Sequence, residues 1–150
     1  MNMINFREAD RADACEMRKF IINFYDDETP PSLEAIERSL TNNQREVVFL
    51  AFDAKKLIGF CCAQILQSVS YSDPYAEMTE LFVAETYRRQ GIGRQLIQVV
   101  ENECGKRGVK HFHLDTERNN IIAQTLYRSC GYVDSGQVQM EKDVIIPNLP

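Results

Sequence analysis

The sequence lacks the broad excess of basic residues that binding to nucleic acid or to an anionic membrane requires. It has 17 Lys and Arg against 22 Asp and Glu, a net charge of −5. Its most apolar runs, VVFLAF and LIGFCCAQIL, are far shorter than the roughly 20 residues of a membrane helix. Because MNMINFREADR reaches acidic residues early, we expect no signal peptide. Neither nucleic acid nor a membrane is an expected partner.

Cysteine pairs of the CxxC type are also absent. The five cysteines are odd in number, which favours a reducing, cytoplasmic location. Cys61 and Cys62 are adjacent in a predicted strand, so we expect them to face opposite ways and to serve in packing. Cys130 has no histidine nearby in the sequence to activate it, which disfavours a role as a nucleophile.

The sequence shows no complete set of ligands for a metal ion. His111 and His113 would lie on one face of a predicted strand, but no third ligand is apparent. An ordinary strand surface explains this pair better than a metal site does. We therefore expect no metal.

What is present is a regular succession of strand and helix patterns. Helices are expected after Asp10, after Ser32, from Ile92 to Cys104, and after Asn119 or Asn120, each with an apolar face or a capping residue at its start. No repeat or linker divides the chain, which predicts one mixed α/β domain over residues 1–150. Strands are expected in MINF, EVVFLAFD, KLIGFCCAQIL, AEMTELFVAE, KHFHLDT and, as one or two strands, YVDSGQVQMEKDV.

The stretch YRRQGIGRQL, residues 87–96, places glycines and arginines between a predicted strand and a predicted helix. A helix N-terminus presents unpaired N–H groups and a partial charge of about +0.5. Gly91 and Gly93 have no Cβ, so a bulky anion can approach those N–H groups closely. Full charges are added around the same place by Arg88, Arg89 and Arg94. The loop therefore predicts a phosphate or pyrophosphate site.

Several interpretations of this loop compete. The GxxxxGK[ST] string of a P-loop is absent. A dinucleotide fingerprint fits poorly, because Leu96 replaces its third glycine and seven residues separate Val83 from Gly91. An acyl-coenzyme A pyrophosphate site remains, and so does a plain helix start whose arginines form surface salt bridges.

Two segments, ELFVAETYRRQGIGRQLIQVVE and NIIAQTLYRSCGY, resemble motifs of the GNAT family of N-acetyltransferases. ELFVAETYRRQGIGRQLIQVVE resembles motif A, [RQ]-x-x-G-x-[GA] after an apolar triplet, with Arg88, Gly91 and Gly93 in the defining places. The order of predicted elements also agrees across nearly the whole chain. NIIAQTLYRSCGY resembles the family pattern N-x-x-A-x-x-L-Y-x-x-x-G-[FY], whose places are filled by Asn120, Ala123, Leu126, Tyr127, Gly131 and Tyr132.

The resemblance implies a fold and a cosubstrate. The fold would have a mixed, mostly antiparallel central sheet flanked by helices, with a bulge in the motif A strand and a splayed parallel strand pair. Acetyl-coenzyme A would be the cosubstrate, with its pantetheine arm in the gap between the splayed strands. Backbone groups of Leu81, Phe82 and Val83 would hold that arm and the thioester carbonyl, and Asn120 and Ala123 would line it. The pyrophosphate would lie against Arg88, Arg89, Gln90, Gly91, Ile92, Gly93 and Arg94.

Acetyl transfer from a thioester to an amine also needs a base and an acid. An alkyl ammonium has a pKa near 10 and must lose its proton. Glu80 is the candidate base, directly or through water, and Glu77 is the second; for either, the alternative is a solvated carboxylate at a strand edge. By the resemblance, Tyr127 would contact the coenzyme and protonate the departing thiolate. The alternative for Tyr127 is a core tyrosine.

The predicted function is N-acetyl transfer to a primary amine of a small molecule or a peptide. The rival is an acyl-coenzyme A-binding sensor or partner module without turnover, and a nicotinamide enzyme is a distant third. The acceptor is open among aminoglycosides, polyamines, amino acids and proteins. Asp26, Asp27 and Glu28 lie where the family places acceptor helices and would favour cations, unless they are only a solvated helix end. Homodimers are common in the family.

Overall fold

A computed structural model describes residues 3–24 and 29–148, and in it helices cover both faces of a mixed sheet. Short 3₁₀ turns, Arg11–Asp13 and Glu85–Tyr87, precede two of the helices. No helix in the described part of the chain is both long enough and apolar enough to span a bilayer. The elements are β1 (Ile4–Glu8), α1 (Ala14–Phe24), α2 (Leu33–Leu40), β2 (Glu46–Asp53), β3 (Lys56–Leu66), β4 (Tyr75–Val83), α3 (Ile92–Lys106), β5 (Phe112–His113) and α4 (Ile121–Ser129).

The sheet runs in the order β1-β2-β3-β4-β5. The first four strands are antiparallel to their neighbours, and β4 pairs with β5 in parallel. The predicted fold class, a mostly antiparallel mixed sheet flanked by helices, is confirmed. The boundaries of β2 and β3 coincide with the predicted strands EVVFLAFD and KLIGFCCAQIL.

Two apolar cores lie on the two faces of this sheet. One packs α3 against Val47, Ile58 and Cys61, and the other packs α1 and α2 against Leu50, Phe60 and Cys62. The opposite orientation and packing role predicted for the adjacent cysteines are confirmed. Burial raises the pKa of both thiols, so each stays neutral in its core.

The strand β4 carries the predicted bulge. Glu80 pairs with Cys62 and Met78 pairs with Ala63, so Thr79 is an extra residue on β4. Next to it, β5 pairs with β4 only at Ala76 and Glu77. From Met78 to Val83 the β5 side of β4 therefore has no strand partner in the described chain, which is the predicted splay.

Capping residues begin the helices where the sequence indicates. Asp10 accepts a hydrogen bond from the Ala12 N–H at 2.8 Å, and the Asp13 carboxylate accepts one from the Asp10 N–H at 2.9 Å. Ser32 Oγ accepts a hydrogen bond from the Ala35 N–H at 3.1 Å. These bonds satisfy N–H groups that have no partner within the helix.

The prediction of one or two strands in YVDSGQVQMEKDV is wrong for this structure. Residues 133–146 form neither helix nor strand. KHFHLDT is a strand only at Phe112 and His113. Alternation of apolar and polar residues gives a segment the side chains of a strand, but a strand also needs a neighbouring backbone to bond with. Because β5 diverges from β4, that neighbour is missing at this edge.

Candidate active site

The loop between β4 and α3 exposes the helix N-terminus. The Arg88 Nε donates to the Val83 carbonyl at 3.0 Å, which folds the loop back onto the end of β4. Arg89 and Gly91 both have left-handed backbones, with φ of 61° and 78°. Gly91 is the N-cap of α3, whose first N–H groups have no partners within the helix. This geometry suits an anion such as a phosphate.

Gly93 matters for a reason that the sequence did not indicate. A Cβ on this residue would lie 3.3 Å from Leu126 Cδ2 and within 4 Å of Leu81 and Val83. Its lack of a side chain therefore lets α3 pack closely on α4 and β4. The structure thus brings together residues of both family motifs, and Gly93 is the point where they meet.

The three loop arginines differ in what they contact. Arg94 donates to the Ser129 carbonyl at 3.1 Å and to the Ser129 hydroxyl at 2.8 Å, which ties α3 to the end of α4. Arg88 is bonded to β4, as described above. Arg89 is exposed and forms no hydrogen bond or ion pair with a described residue. Of the three, Arg89 has the side chain most free to meet an anion.

The helix α4 presents its predicted residues to the same region. Asn120 is its N-cap, with Oδ1 accepting from the Ala123 N–H at 3.1 Å. Tyr127 packs against the core beneath α3, and its hydroxyl has no hydrogen-bond partner among the described residues. Burial, and to a lesser extent Cys61 and Cys130, raise the pKa of this phenol. Tyr127 is therefore protonated at neutral pH.

The side chains of the last three residues of β4 alternate between the two faces of the sheet. Leu81 and Val83 face the core beneath α3, while Phe82 packs with Phe60 on the other face, their ring centroids 5.4 Å apart. The backbone of these three residues lies on the splayed part of β4. A chain-like ligand can therefore lie along this edge, with the N-terminus of α3 at one end.

A cavity of about 440 Å³ opens on the α1–α2 face of the sheet. Two carboxylates, Glu46 and Glu80, line it. Ser39 Oγ donates to Glu46 Oε2 at 2.9 Å, which holds that carboxylate in place. The remaining walls are mostly apolar and comprise Met17, Ile21, Pro30, Pro31, Ala35, Ile36, Leu40, Val48, Phe60 and Cys62.

The sequence did not single out Glu46. It lies 34 positions before Glu80, at the start of β2, and belongs to no motif. Only the pairing of β2 with β3 and of β3 with β4 brings the two carboxylates to one cavity. An acidic residue that opens an otherwise apolar strand is a weak signal, since most such residues are solvated.

Comparison with known proteins agrees with this geometry. The model of the Acetyltransferase (GNAT) family matches residues 13–132. The chain belongs to the GNAT family. The match spans the first helix, the loop at Gly91 and Tyr127 of α4, so the core of this GNAT domain is covered.

Two sequence relatives and one solved structure of similar fold illustrate the comparison. The uncharacterized N-acetyltransferase YhfO of Bacillus subtilis is 28% identical over 134 residues, covering 86% of this chain and 89% of YhfO. The [Ribosomal protein bS18]-alanine N-acetyltransferase of Escherichia coli K12 is 30% identical over 98 residues, 64% of this chain and 62% of that enzyme. The solved structure of AAC(6')-Iy with the bisubstrate analogue CoA-S-monomethyl-acetylneamine has a TM-score of 0.83 at 19% identity, covering 95% and 99%.

None of the remaining candidate residues that the structure describes lines the cavity. Glu77, the second candidate base, does not line the cavity, and its Oε2 lies 3.9 Å from His113 Nε2. In residues 3–24 and 29–148, no three metal-ligating side chains are grouped to hold an ion. Asp26, Asp27 and Glu28 lie outside the described residues. Of the two candidate bases, only Glu80 lines the cavity of this GNAT domain.

Proposed function

We propose that this GNAT domain moves the acetyl group of acetyl-coenzyme A directly to a primary amine of a small molecule or a peptide. One observation carries the proposal. The unpaired part of β4 runs from the exposed N-terminus of α3 to Glu80, which lines the cavity on the α1–α2 face. A site for a donor and a site for an acceptor therefore meet on one strand.

The backbone of the loop and of β4 indicates where the donor, acetyl-coenzyme A, would bind. The pyrophosphate would lie on the N–H groups at the start of α3, near the free side chain of Arg89. Pantetheine would follow the splayed edge of β4 beside Leu81, Phe82 and Val83. On the helices that flank this path, Gly93 has no side chain and Ala123 has only a methyl group.

The acceptor end follows from the cavity. Two carboxylates within mostly apolar walls favour a cationic amine with an apolar body. Glu80 would accept the ammonium proton, directly or through water, so that the nitrogen lone pair attacks the thioester carbon. The carbon–sulfur bond breaks, and Tyr127 would give its proton to the departing thiolate. The products are an amide and free coenzyme A.

A second candidate function is a sensor that binds acyl-coenzyme A without turnover. The loop, the splayed edge and α4 would suffice for it. The carboxylate-lined cavity favours the enzyme, because binding of the coenzyme alone does not need Glu80 or Glu46. The free thiols of this domain fit the reducing cytoplasm that we propose as its location.

The experiment is an assay of coenzyme A release from acetyl-coenzyme A with a panel of amines. The panel should contain aminoglycosides, polyamines, amino acids and N-terminal peptides. We expect turnover with cationic members, and a KM for the amine that rises with salt because screened charges attract less. Coenzyme A binding in calorimetry without any transfer would favour the sensor.

Two variants separate the roles of the carboxylates. Glu80→Gln should lower kcat by about 10²-fold, the scale of a lost general base. Glu46→Gln is the matched control in the same cavity, and it should mainly raise KM for cationic amines. Equal effects of the two variants on kcat would contradict the assignment of Glu80 as the base.

A further inference from the structure

A hydrogen bond that the proposed chemistry does not use joins the turn before α3 to the end of β2. The Tyr87 hydroxyl donates to Asp53 Oδ2 at 2.7 Å, between residues 34 positions apart. Tyr87 is the last residue of the 3₁₀ turn Glu85–Tyr87, and the loop residues 88–91 follow it directly. Asp53 ends β2, beside the turn that leads into β3. The bond therefore connects the loop that precedes α3 to a distant part of the sheet.

The Asp53 carboxylate has few other partners. Its second oxygen, Oδ1, is buried and has no hydrogen-bond partner in residues 3–24 and 29–148. A buried carboxylate oxygen without a partner costs free energy, because it has lost its bonds to water. An apolar residue at this position would avoid that cost, so the bond to Tyr87 is the observable gain from having an aspartate there. Its length of 2.7 Å lies in the range of the strong bonds that a hydroxyl gives to a carboxylate.

The side chain of Tyr87 is held by further contacts. Its ring packs against the core beneath α3, and Lys56 Nζ lies 5.6 Å from the ring centroid. An ammonium group at that distance is attracted to the face of the ring. The hydrogen bond to Asp53 raises the pKa of the phenol, so Tyr87 remains a donor at neutral pH. Core, ammonium and carboxylate together fix where this side chain lies.

The loop beyond Tyr87 has few contacts of its own with the sheet. The Ala84 N–H donates to the Ile58 carbonyl at 2.8 Å before the turn, and Arg88 Nε donates to the Val83 carbonyl of β4. The three residues after Arg88 are exposed. Within the described ranges, Tyr87 has the only side chain of the turn and the loop that forms a hydrogen bond with a strand other than β4.

The direction of this loop decides how well the start of α3 can bind an anion. Gly91, the N-cap of α3, lies four residues after Tyr87. A phosphate on backbone N–H groups needs those groups to point at its oxygens, since a hydrogen bond weakens steeply when it is bent. A small rotation of the loop would therefore weaken several such bonds at once. Fixing Tyr87 fixes the beginning of the short segment that sets their direction.

We propose that the bond between Tyr87 and Asp53 positions the loop for the pyrophosphate of coenzyme A, so that both are positioning residues that do not touch the coenzyme. The inference rests on the proposed function, because it takes coenzyme A as the ligand of the loop. Loss of the bond should weaken the binding of the pyrophosphate and leave the binding of the pantetheine arm unchanged. A bond that served only the stability of the fold would affect both or neither.

Tyr87→Phe keeps the ring and removes the hydroxyl. Calorimetry should give a Kd for coenzyme A about tenfold higher than that of the wild type, the scale of one hydrogen bond to a charged group. NMR titration with pantetheine, which lacks the pyrophosphate, should give the Kd of the wild type. Tyr71→Phe is the matched control, because Tyr71 is 57% exposed and its hydroxyl bonds to no described residue. It should change neither Kd.

Variants of Asp53 test whether the two residues act as one unit. Asp53→Ala should raise the Kd for coenzyme A as much as Tyr87→Phe does, and the double variant should raise it no further, because each single change removes the same bond. Asp53→Asn should retain more affinity than Asp53→Ala, since its amide oxygen can still accept from Tyr87. Additive effects, or equal rises in the Kd of coenzyme A and of pantetheine, would overturn the proposal.

The failure of this proposal can be told from the failure of the proposed function. A wild type that does not bind coenzyme A would contradict both. A wild type that binds it, with a folded Tyr87→Phe that binds it equally well, would overturn the positioning role alone. If Tyr87→Phe does not fold, the comparison of Asp53→Ala with Asp53→Asn gives the same decision.

Discussion

Two tyrosines near the end of α4 differ in what their hydroxyl groups contact. The Tyr132 hydroxyl donates to Glu101 Oε1 at 2.7 Å. The ring centroids of Tyr127 and Tyr132 lie 6.2 Å apart. The Tyr127 hydroxyl, however, has no hydrogen-bond partner among the described residues. A half-buried phenol without a partner is costly in a core, because it loses its bonds to water. A ligand that accepts its hydrogen bond would remove that cost, which supports the proposed role of Tyr127 as the acid.

Tyr127→Phe keeps the ring and removes only the hydroxyl. We expect turnover to fall by about 10²-fold, with the affinity for acetyl-coenzyme A nearly unchanged. Steady-state kinetics and calorimetry measure the two quantities. The raised pKa of Tyr127 keeps the acid protonated well into the alkaline range, so its own ionisation should not limit the rate below about pH 10.

Tyr132→Phe is the matched control. It removes a hydrogen bond to a carboxylate and should lower the melting temperature while leaving kcat close to that of the wild type. If Tyr127→Phe behaves in the same way, Tyr127 is a packing residue and solvent protonates the thiolate.

The most important element of the site is the loop that leads into α3. Its two glycines have different structural roles. Gly91 needs its left-handed φ of 78°, and a Cβ there would meet open space, with only Gln95 Nε2 at 4.0 Å. Gly93 must lack a side chain, because a Cβ there would lie 3.3 Å from Leu126 Cδ2. The sequence predicts both glycines as anion contacts, because the motif does not show whether a Cβ at each position would point towards an anion or towards a neighbouring helix.

Separate variants test these two roles. Gly91→Ala forces a side chain into a left-handed backbone at a cost of about 1–2 kcal/mol, which should distort the N–H groups and weaken coenzyme A binding. Gly93→Val should instead push α3 from α4 and mainly lower the melting temperature. Calorimetry with coenzyme A and thermal unfolding of each variant separate the outcomes. Unchanged coenzyme A affinity in a well-folded Gly91→Ala protein would contradict the pyrophosphate assignment.

Elements whose signals are local could be predicted, and elements that depend on distant partners could not. The caps at Ser32 and Asn120, and the bounds of β2 and β3, follow from neighbouring residues alone. The bond from Arg94 to Ser129 and the approach of Glu46 to the cavity of Glu80 depend on tertiary packing between segments 34 or 35 positions apart. No local pattern contains that information.

At the scale of the whole molecule, the splayed edge of β4 proposed for the donor adjoins the cavity proposed for the acceptor. Leu81 and Val83 face the core beneath α3, while Glu80 faces the cavity beneath α1 and α2. The bulge at Thr79 shifts the register of β4 at the residue before Glu80. Contacts that keep α1 and α2 packed on the sheet therefore also keep the walls of the cavity proposed for the acceptor in place.

A charged contact joins the sheet to this helical layer. The Arg7 guanidinium on β1 donates to both oxygens of Asp13, at 2.7 and 2.8 Å, just before α1 begins. Asp13 is buried, and the hydrogen bond from Arg7 lowers the pKa of its carboxyl group below the usual value. Because the folded-state pKa is the lower one, this contact stabilises the fold fully above the unfolded value of about 3.9. The stabilisation is lost as the pH falls through the folded pKa.

Asp13→Asn should therefore lower the free energy of unfolding by about 2 kcal/mol at pH 7, the scale of hydrogen bonds to a charged group. The difference from the wild type should shrink as the pH falls below about 3.9, where the carboxyl group of the unfolded chain gains a proton, and it should be lost once the pH is below the lowered folded pKa. Urea unfolding from pH 7 to pH 2.5 measures both curves. Asp10→Asn is the control, since asparagine caps a helix as well as aspartate does and should change little. A difference between Asp13→Asn and the wild type that is constant with pH would show that shape, rather than charge, holds α1 on the sheet.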